Sequence, residues 1–111
     1  MSQIDNVDVA RARVLLADGA LLIDVREDDE WDAGHVGAAR HITLSSVPDA
    51  IDQLARERVI ICVCRSGGRS TRAGQFLLEQ GFDVVNLEGG MIAWQAAGAP
   101  MVCEDGEPRV V

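Results

Sequence analysis

The chain has 111 residues, enough for one domain around one hydrophobic core, and 48% hydrophobic with 25% charged residues is the balance of an ordinary globular protein. A net charge of −8 leaves no general basic face for nucleic acid or an acidic membrane, and because every one of the 10 basic residues is arginine, Schiff-base chemistry by a lysine side chain is excluded. No apolar run reaches the roughly 18–20 residues of a membrane span, the start lacks the basic-then-apolar pattern of a secretory signal, and three cysteines read as reduced thiols, so a cytoplasmic protein is expected.

Hydrophobic periodicity divides the chain into alternating strands and helices without repeats. Gln3 to Asp5 reads as a short edge strand. Asn6 or Asp5 is a candidate cap for a helix over VDVARARVLLA, with Val9, Val14, Leu15 and Ala17 facing inward and Gly19 ending it. ALLIDVR (20–26) is a buried strand ending in charge, and the acids of EDDEWDAG (27–34) suit the N-terminus of a short helix stopped by Gly34. SSVPDAIDQLARE follows, with Ser45 or Ser46 as cap and Pro48 in the first turn. VIICVC (59–64) is the most strand-like segment. STRAGQFLLEQG places Ala73, Phe76, Leu77 and Gln80 on one helical stripe, DVVNLEGG is a further strand, and GGMIAWQAAG closes as a short helix. The expected fold is α/β: a single domain over 1–102, with a mostly parallel sheet of about five strands and helices on both faces, followed by an acidic, frayed tail over 103–111.

Ligands of such sheets bind beyond the carboxyl ends of the strands, where both Asp24 and Cys64 fall. Cys64 ends its apolar run and meets CRSGGRS at once. From Arg58 to Leu78 there is no acid, while Arg58, Arg65, Arg69 and Arg72 are present. Gly67 and Gly68 let successive amides curl inward as an anion nest, a helix starting near Ser70 aims its free N–H groups at the same space, and Arg65 and Arg69 add charge. Such surroundings lower a thiol pKa and make Cys64 a candidate nucleophile. Cys62, inside the strand, reads instead as a small buried hydrophobe. A metal site from Cys62 and Cys64 with His35, His41 or Cys103 has the wrong spacing for paired-thiol knuckles, so no metal is expected.

Together LLIDVREDDEWDAGHVGAARHI, CRSGGRS and NLEGGMIAW resemble the three motifs of single-domain rhodanese sulfurtransferases. Tyrosine phosphatases also place a cysteine in such a loop, but their arginine lies one residue further from it than Arg69 lies from Cys64. The resemblance implies a double displacement. Cys64 attacks the outer sulfur of a donor such as thiosulfate, becomes a persulfide, and passes the sulfur to cyanide or a thiol. It further implies that the loop Arg65, Ser66, Gly67, Gly68, Arg69 and Ser70 binds donor and persulfide, and that Asp24, Arg26 and His35 support it. Arg26 is a candidate partner of Glu30 or another nearby acid, and two loop arginines favour thiosulfate over 3-mercaptopyruvate by charge-assisted bonds to a sulfonate. No cofactor is implied. Partners are a small-molecule sulfur donor and acceptor, with no nucleic acid and no membrane. The alternative is a relay module that takes persulfide sulfur from a partner protein; a phosphatase or arsenate reductase ranks below both.

Overall fold

A computed structural model describes residues 3–111. In chain order the elements are β1 (Asp5–Val7), α1 (Val9–Ala17), β2 (Leu21–Asp24), α2 (Asp28–Ala33), β3 (Arg40–His41), α3 (Val47–Ala50), β4 (Ile60–Val63), α4 (Gly68–Glu79), β5 (Val84–Leu87) and α5 (Gly90–Ala96). Short 3-10 turns, Leu44–Ser46 and Ile51–Gln53, flank α3. The five strands form one sheet in the order β1-β5-β4-β2-β3, and every pair is parallel. The chain is therefore a single α/β domain of the expected architecture.

β4 lies at the centre because its residues are apolar on both sides. Ile60 and Cys62 face one hydrophobic cluster, with Ala73 and Leu77 of α4 and Val47 of α3. Ile61 and Val63 face the other, with Ala12 of α1 and Met91 and Trp94 of α5. Each fully buried Leu or Ile contributes about 1.5–3 kcal/mol relative to exposure, so the continuous run in β4 anchors both layers. No helix of the described residues is long and apolar enough to cross a membrane.

Several local expectations shift. The edge strand spans Asp5–Val7, so Asp5 and Asn6 are in the ladder and Asp8 caps α1, its carboxylate accepting from the Arg11 N–H at 2.8 Å. Val14 is 49% exposed, and small Ala12 fills the buried position with Val9, Leu15 and Leu16 packed around it. A short helix held close to the sheet uses a small residue at closest approach, which a count of large hydrophobics overlooks. Gln80 leaves the α4 stripe for solvent. The residues after 102, expected to fray, return to the domain. The Arg109 N–H reaches the Ala33 carbonyl at 2.9 Å, and Val110 packs on the second cluster.

One ion pair is wholly buried. Arg26 and Asp24 are both 0% exposed. Nε donates to Asp24 Oδ1 at 2.9 Å and Nη2 to Oδ2 at 2.7 Å. The remaining donors meet the Gly34 carbonyl at 2.8 Å and the Glu30 carbonyl at 3.2 Å. Arg26 thus pairs with Asp24, two residues back in sequence, and touches Glu30 only through its backbone. This fork ties the middle and the C-terminal end of α2 to the tip of β2. Removing one partner strands the other charge, so Arg26→Met is expected to cost about 3–5 kcal/mol in urea unfolding. The Asp24→Leu, Arg26→Met double variant is expected to cost less than the two single changes together, because neither leaves an unpaired charge behind.

Candidate active site

Cys64 is the first residue beyond β4, and the chain turns there at Gly67, whose φ of +118° favours glycine. The turn brings the Gly67 N–H to 3.0 Å from Cys64 Sγ and starts α4 at Gly68, earlier than the sequence suggested. Gly68 needs no such freedom: its φ is not positive, and a Cβ there would meet nothing within 4 Å. Ser70, buried in the first turn of α4, places Oγ 3.3 Å from Sγ. The loop is held from behind by α5, where Met91 N–H donates to the Cys64 carbonyl at 2.8 Å and Ile92 N–H to the Arg65 carbonyl at 3.1 Å. Gly90 permits that approach, since a Cβ on it would strike both of those carbonyls. The Gly-Gly of the closing motif is therefore part of the loop's support.

Cys62, within β4, and Cys64, just beyond it, differ electrostatically. Burial pushes the Cys62 thiol up to about 12, with the nearby Cys64 sulfur adding to the effect. Cys64 is 1% exposed. Burial opposes its ionisation too, but the Ser70 hydroxyl and the amides of Ser70, Gly67 and Ser66 outweigh it and bring the thiol below its ordinary value. Polar backbone at the strand end makes the difference.

The arginines of the loop do not stand free around the sulfur. Arg69 grips Glu30 with both Nη atoms, at 2.6 and 2.9 Å. These bonds bring Glu30 down to about 2 against the opposing effect of burial, and they raise Arg69 further above its ordinary value. Arg65 points outward and donates Nε to the Val111 carbonyl oxygen at 2.9 Å. The expected pair of sulfonate-binding cations is thus engaged by protein oxygens, and the groups on the sulfur are amides and a hydroxyl. The exposed Ser66 contributes its amide.

Asp24 and Arg26 reach the loop indirectly. They fix α2, and α2 carries Glu30, which holds Arg69. His35 stacks on Trp31 at 3.6 Å between ring centroids, with Nδ1 2.9 Å from the Trp31 carbonyl. His41 stacks on Trp31 at 4.6 Å and donates Nε2 to the Arg26 carbonyl at 2.8 Å. These histidines clamp a tryptophan between them and stiffen the segment around Arg26. Trp94 is core, with its indole N–H on the Pro100 carbonyl at 2.9 Å. Cys103 points its sulfur at the Asp105 carbonyl in its own turn, at 3.0 Å.

Asn86 escapes the sequence reading altogether, while Glu30, His41 and Gly90 appear in it without the roles that the structure gives them. Asn86 is 3% exposed on β5 and accepts from Ser70 Oγ at 2.6 Å. Its signal was visible as an amide in the otherwise apolar run VVNL. Glu30 read as an N-terminal helix acid, which it also is, since Oε1 accepts from the Glu27 N–H at 3.0 Å.

Comparison with known proteins agrees with this architecture. The family described as Rhodanese-like domain matches residues 8–97. The chain is 43% identical over 79 residues to YtwF of Bacillus subtilis (strain 168), named as a candidate sulfurtransferase, covering 71% of this chain and 77% of that protein. It is 32% identical over 107 residues to a protein of Allochromatium vinosum named Sulfurtransferase, covering 96% and 99% of the two chains. The crystal structure of a rhodanese-related protein from Thermoplasma volcanium superposes with a TM-score of 0.84 at 28% identity, over 90% of this chain and 99% of that one. The chain belongs to the family of rhodanese-like domains, whose relatives here are named sulfurtransferases.

Proposed function

We propose that this protein is a thiosulfate-type sulfurtransferase that carries the transferred sulfur as a persulfide on Cys64. The observation that carries this reading is the placement of the Gly67 amide and the Ser70 hydroxyl, 3.0 and 3.3 Å from Cys64 Sγ, at the mouth of a helix. In the first step the Cys64 thiolate attacks the outer sulfur of thiosulfate. A new S–S bond forms, the old one breaks, and sulfite leaves with the bonding pair. In the second step cyanide or a thiolate attacks the terminal sulfur, and Cys64 leaves as thiolate. The loop amides act on the sulfur as oxyanion-hole donors act on oxygen, and ping-pong kinetics follow. Asp24 and Arg26 support the loop through α2 and Glu30, and His35 has a structural part.

A second reading has its own observation. With Arg69 gripped by Glu30 and Arg65 on Val111, no guanidinium of the loop is without an oxygen partner. A donor without a sulfonate, such as a partner protein's persulfide, would not have to break either contact, which favours a relay.

Intact-protein mass spectrometry after thiosulfate, with and without cyanide, tests the persulfide. One sulfur atom gained, mapped to Cys64 and removed by cyanide, is the expected result, and Cys64→Ser should fold and gain none. Cys62→Ser should still load while losing about 1–3 kcal/mol of stability through a hydroxyl buried in the sheet. Equal loading of Cys64→Ser and the parent chain would overturn the assignment.

Charge variants separate the two readings. If thiosulfate binds through Arg69, Glu30→Gln should raise kcat/KM for thiosulfate by about tenfold, roughly one charge-assisted hydrogen bond released for the donor, and Arg69→Gln should lower it by at least as much. A protein-persulfide donor whose rate neither change moves would place the domain in a relay.

A further inference from the structure

Ser70 Oγ lies within reach of three acceptors: Asn86 Oδ1 at 2.6 Å, the Gly67 carbonyl at 3.2 Å and Cys64 Sγ at 3.3 Å. A hydroxyl has a single proton to give. In the arrangement recorded, the shortest contact is to Asn86, so Cys64 receives the Ser70 proton only if Asn86 releases it. Asn86 in turn donates Nδ2 to Asn6 Oδ1 at 2.9 Å. Asn6, Asn86 and Cys62 stand in register on adjacent parallel strands, so their side chains share one face of the sheet. The Asn86 amide also lies against the turn, since a Cβ on Gly67 would sit 3.7 Å from Nδ2. Asn86 is nearly fully buried, whereas Asn6 is exposed and free to turn against water.

We propose that Asn86 is a positioning residue for the nucleophile: one orientation of its amide keeps the Ser70 proton, and the reverse orientation delivers that proton to Cys64 Sγ. With Oδ1 toward Ser70, the serine O–H points at Asn86, and the Cys64 S–H is left to donate to Ser70 Oγ. When the thiol proton passes to solvent, the Ser70 O–H turns to the sulfur anion. Asn86 then reverses, Nδ2 donates to Ser70 Oγ, and Asn6 reverses with it to donate to Oδ1. The three contacts linking Cys64, Ser70, Asn86 and Asn6 are all kept with donor and acceptor exchanged, and the S–H bond alone is broken. An amide suits this place because its two ends are nearly the same size and opposite in hydrogen-bonding sense. The other charged or titratable groups around Cys64 are Arg65 next to it, Cys62 on β4, Arg69 of α4 with Glu30 of α2 upon it, and the pair of Asp24, at the end of β2, with Arg26 just beyond it. They are the same in all the variants below.

The proposal rests on Cys64 as the reacting thiol, so its test reads ionisation and not sulfur transfer. The pH dependence of iodoacetamide labelling at Cys64, resolved by peptide mass spectrometry, gives the midpoint for thiolate formation. Asn86→Asp offers Ser70 only acceptors and is expected to raise that midpoint by about one pH unit, a tenfold loss of labelling rate below it. Asn6→Asp, at an exposed edge position that leaves the fold intact, pins Asn86 Nδ2 outward and is expected to raise the midpoint by about half a unit, roughly threefold in rate. In a Ser70→Ala background the Asn6→Asp shift should vanish, because the relay has lost its middle member. A shift of equal size with and without Ser70 would be a field effect of the new carboxylate and would overturn the proposal. So would an unchanged midpoint in Asn6→Asp. A chain that labels with these shifts yet takes no sulfur from any donor would instead overturn the sulfurtransferase reading alone.

Discussion

A guanidinium with no exposed surface costs several kcal/mol unless each donor is met, and in this fold Asp24 and the carbonyls of Glu30 and Gly34 meet those of Arg26. The consequence is positional. Asp24 is the last residue of a strand paired on both sides, so it cannot move without the sheet. Arg26 transmits that rigidity to the middle and C-terminal end of α2, and α2 presents the Glu30 carboxylate, which captures Arg69 in the first turn of α4. Strand tip, acidic helix and cysteine loop are therefore one mechanical unit, joined by charge-assisted bonds across segments distant in sequence. The Trp31 stack, with His41 on the Arg26 carbonyl, braces the same unit from outside.

Against that frame, Cys62 and Cys64 are a controlled comparison made by one strand. Both are almost completely enclosed, and burial disfavours a thiolate at each. They diverge because the ladder satisfies the backbone around Cys62, whereas beyond Val63 the chain leaves the sheet and turns amides at Gly67 and Ser70 toward the sulfur. The end of a strand and the start of a helix both leave N–H groups without intrinsic partners. The turn at Gly67 collects them around one atom.

This division explains what could be read in advance. The strand, the cysteine and the glycine turn are contiguous, so VIICVCRSGGRS displays them together, and the alternation of apolar runs with helical stripes displays the parallel sheet. The partners of the arginines are long-range and leave no local trace. Arg69 meets an acid 39 positions away, and Arg65 meets Val111 46 positions away. Arg26 could be read as paired with Glu30 or another nearby acid, and the buried Asp24 carboxylate is the acid that takes it. Val14 looked inward because it is large, yet the closest approach of α1 to the sheet needs Ala12. The tail looked free because it is polar, while the apolar Val110 and the backbone of Arg109 seat it against the domain.

The acid-free stretch from Arg58 to Leu78 illustrates how local charge differs from site charge. Read alone, it is a cationic pocket. In the folded chain a carboxylate from α2 compensates Arg69, and the larger favourable effects at Cys64 come from uncharged donors, peptide N–H groups and one hydroxyl, with Arg69 adding its charge. Such donors are fixed by the backbone, are short in reach and act on charge carried by the sulfur itself more than on charge elsewhere in a donor molecule. A site built this way favours a sulfur anion at Cys64, and under the proposed function it does so whichever donor brings the sulfur. That is why the same loop is compatible with a small-molecule enzyme and with a relay, and why the choice between them turns on Glu30 and Arg69 at the rim and not on the cysteine.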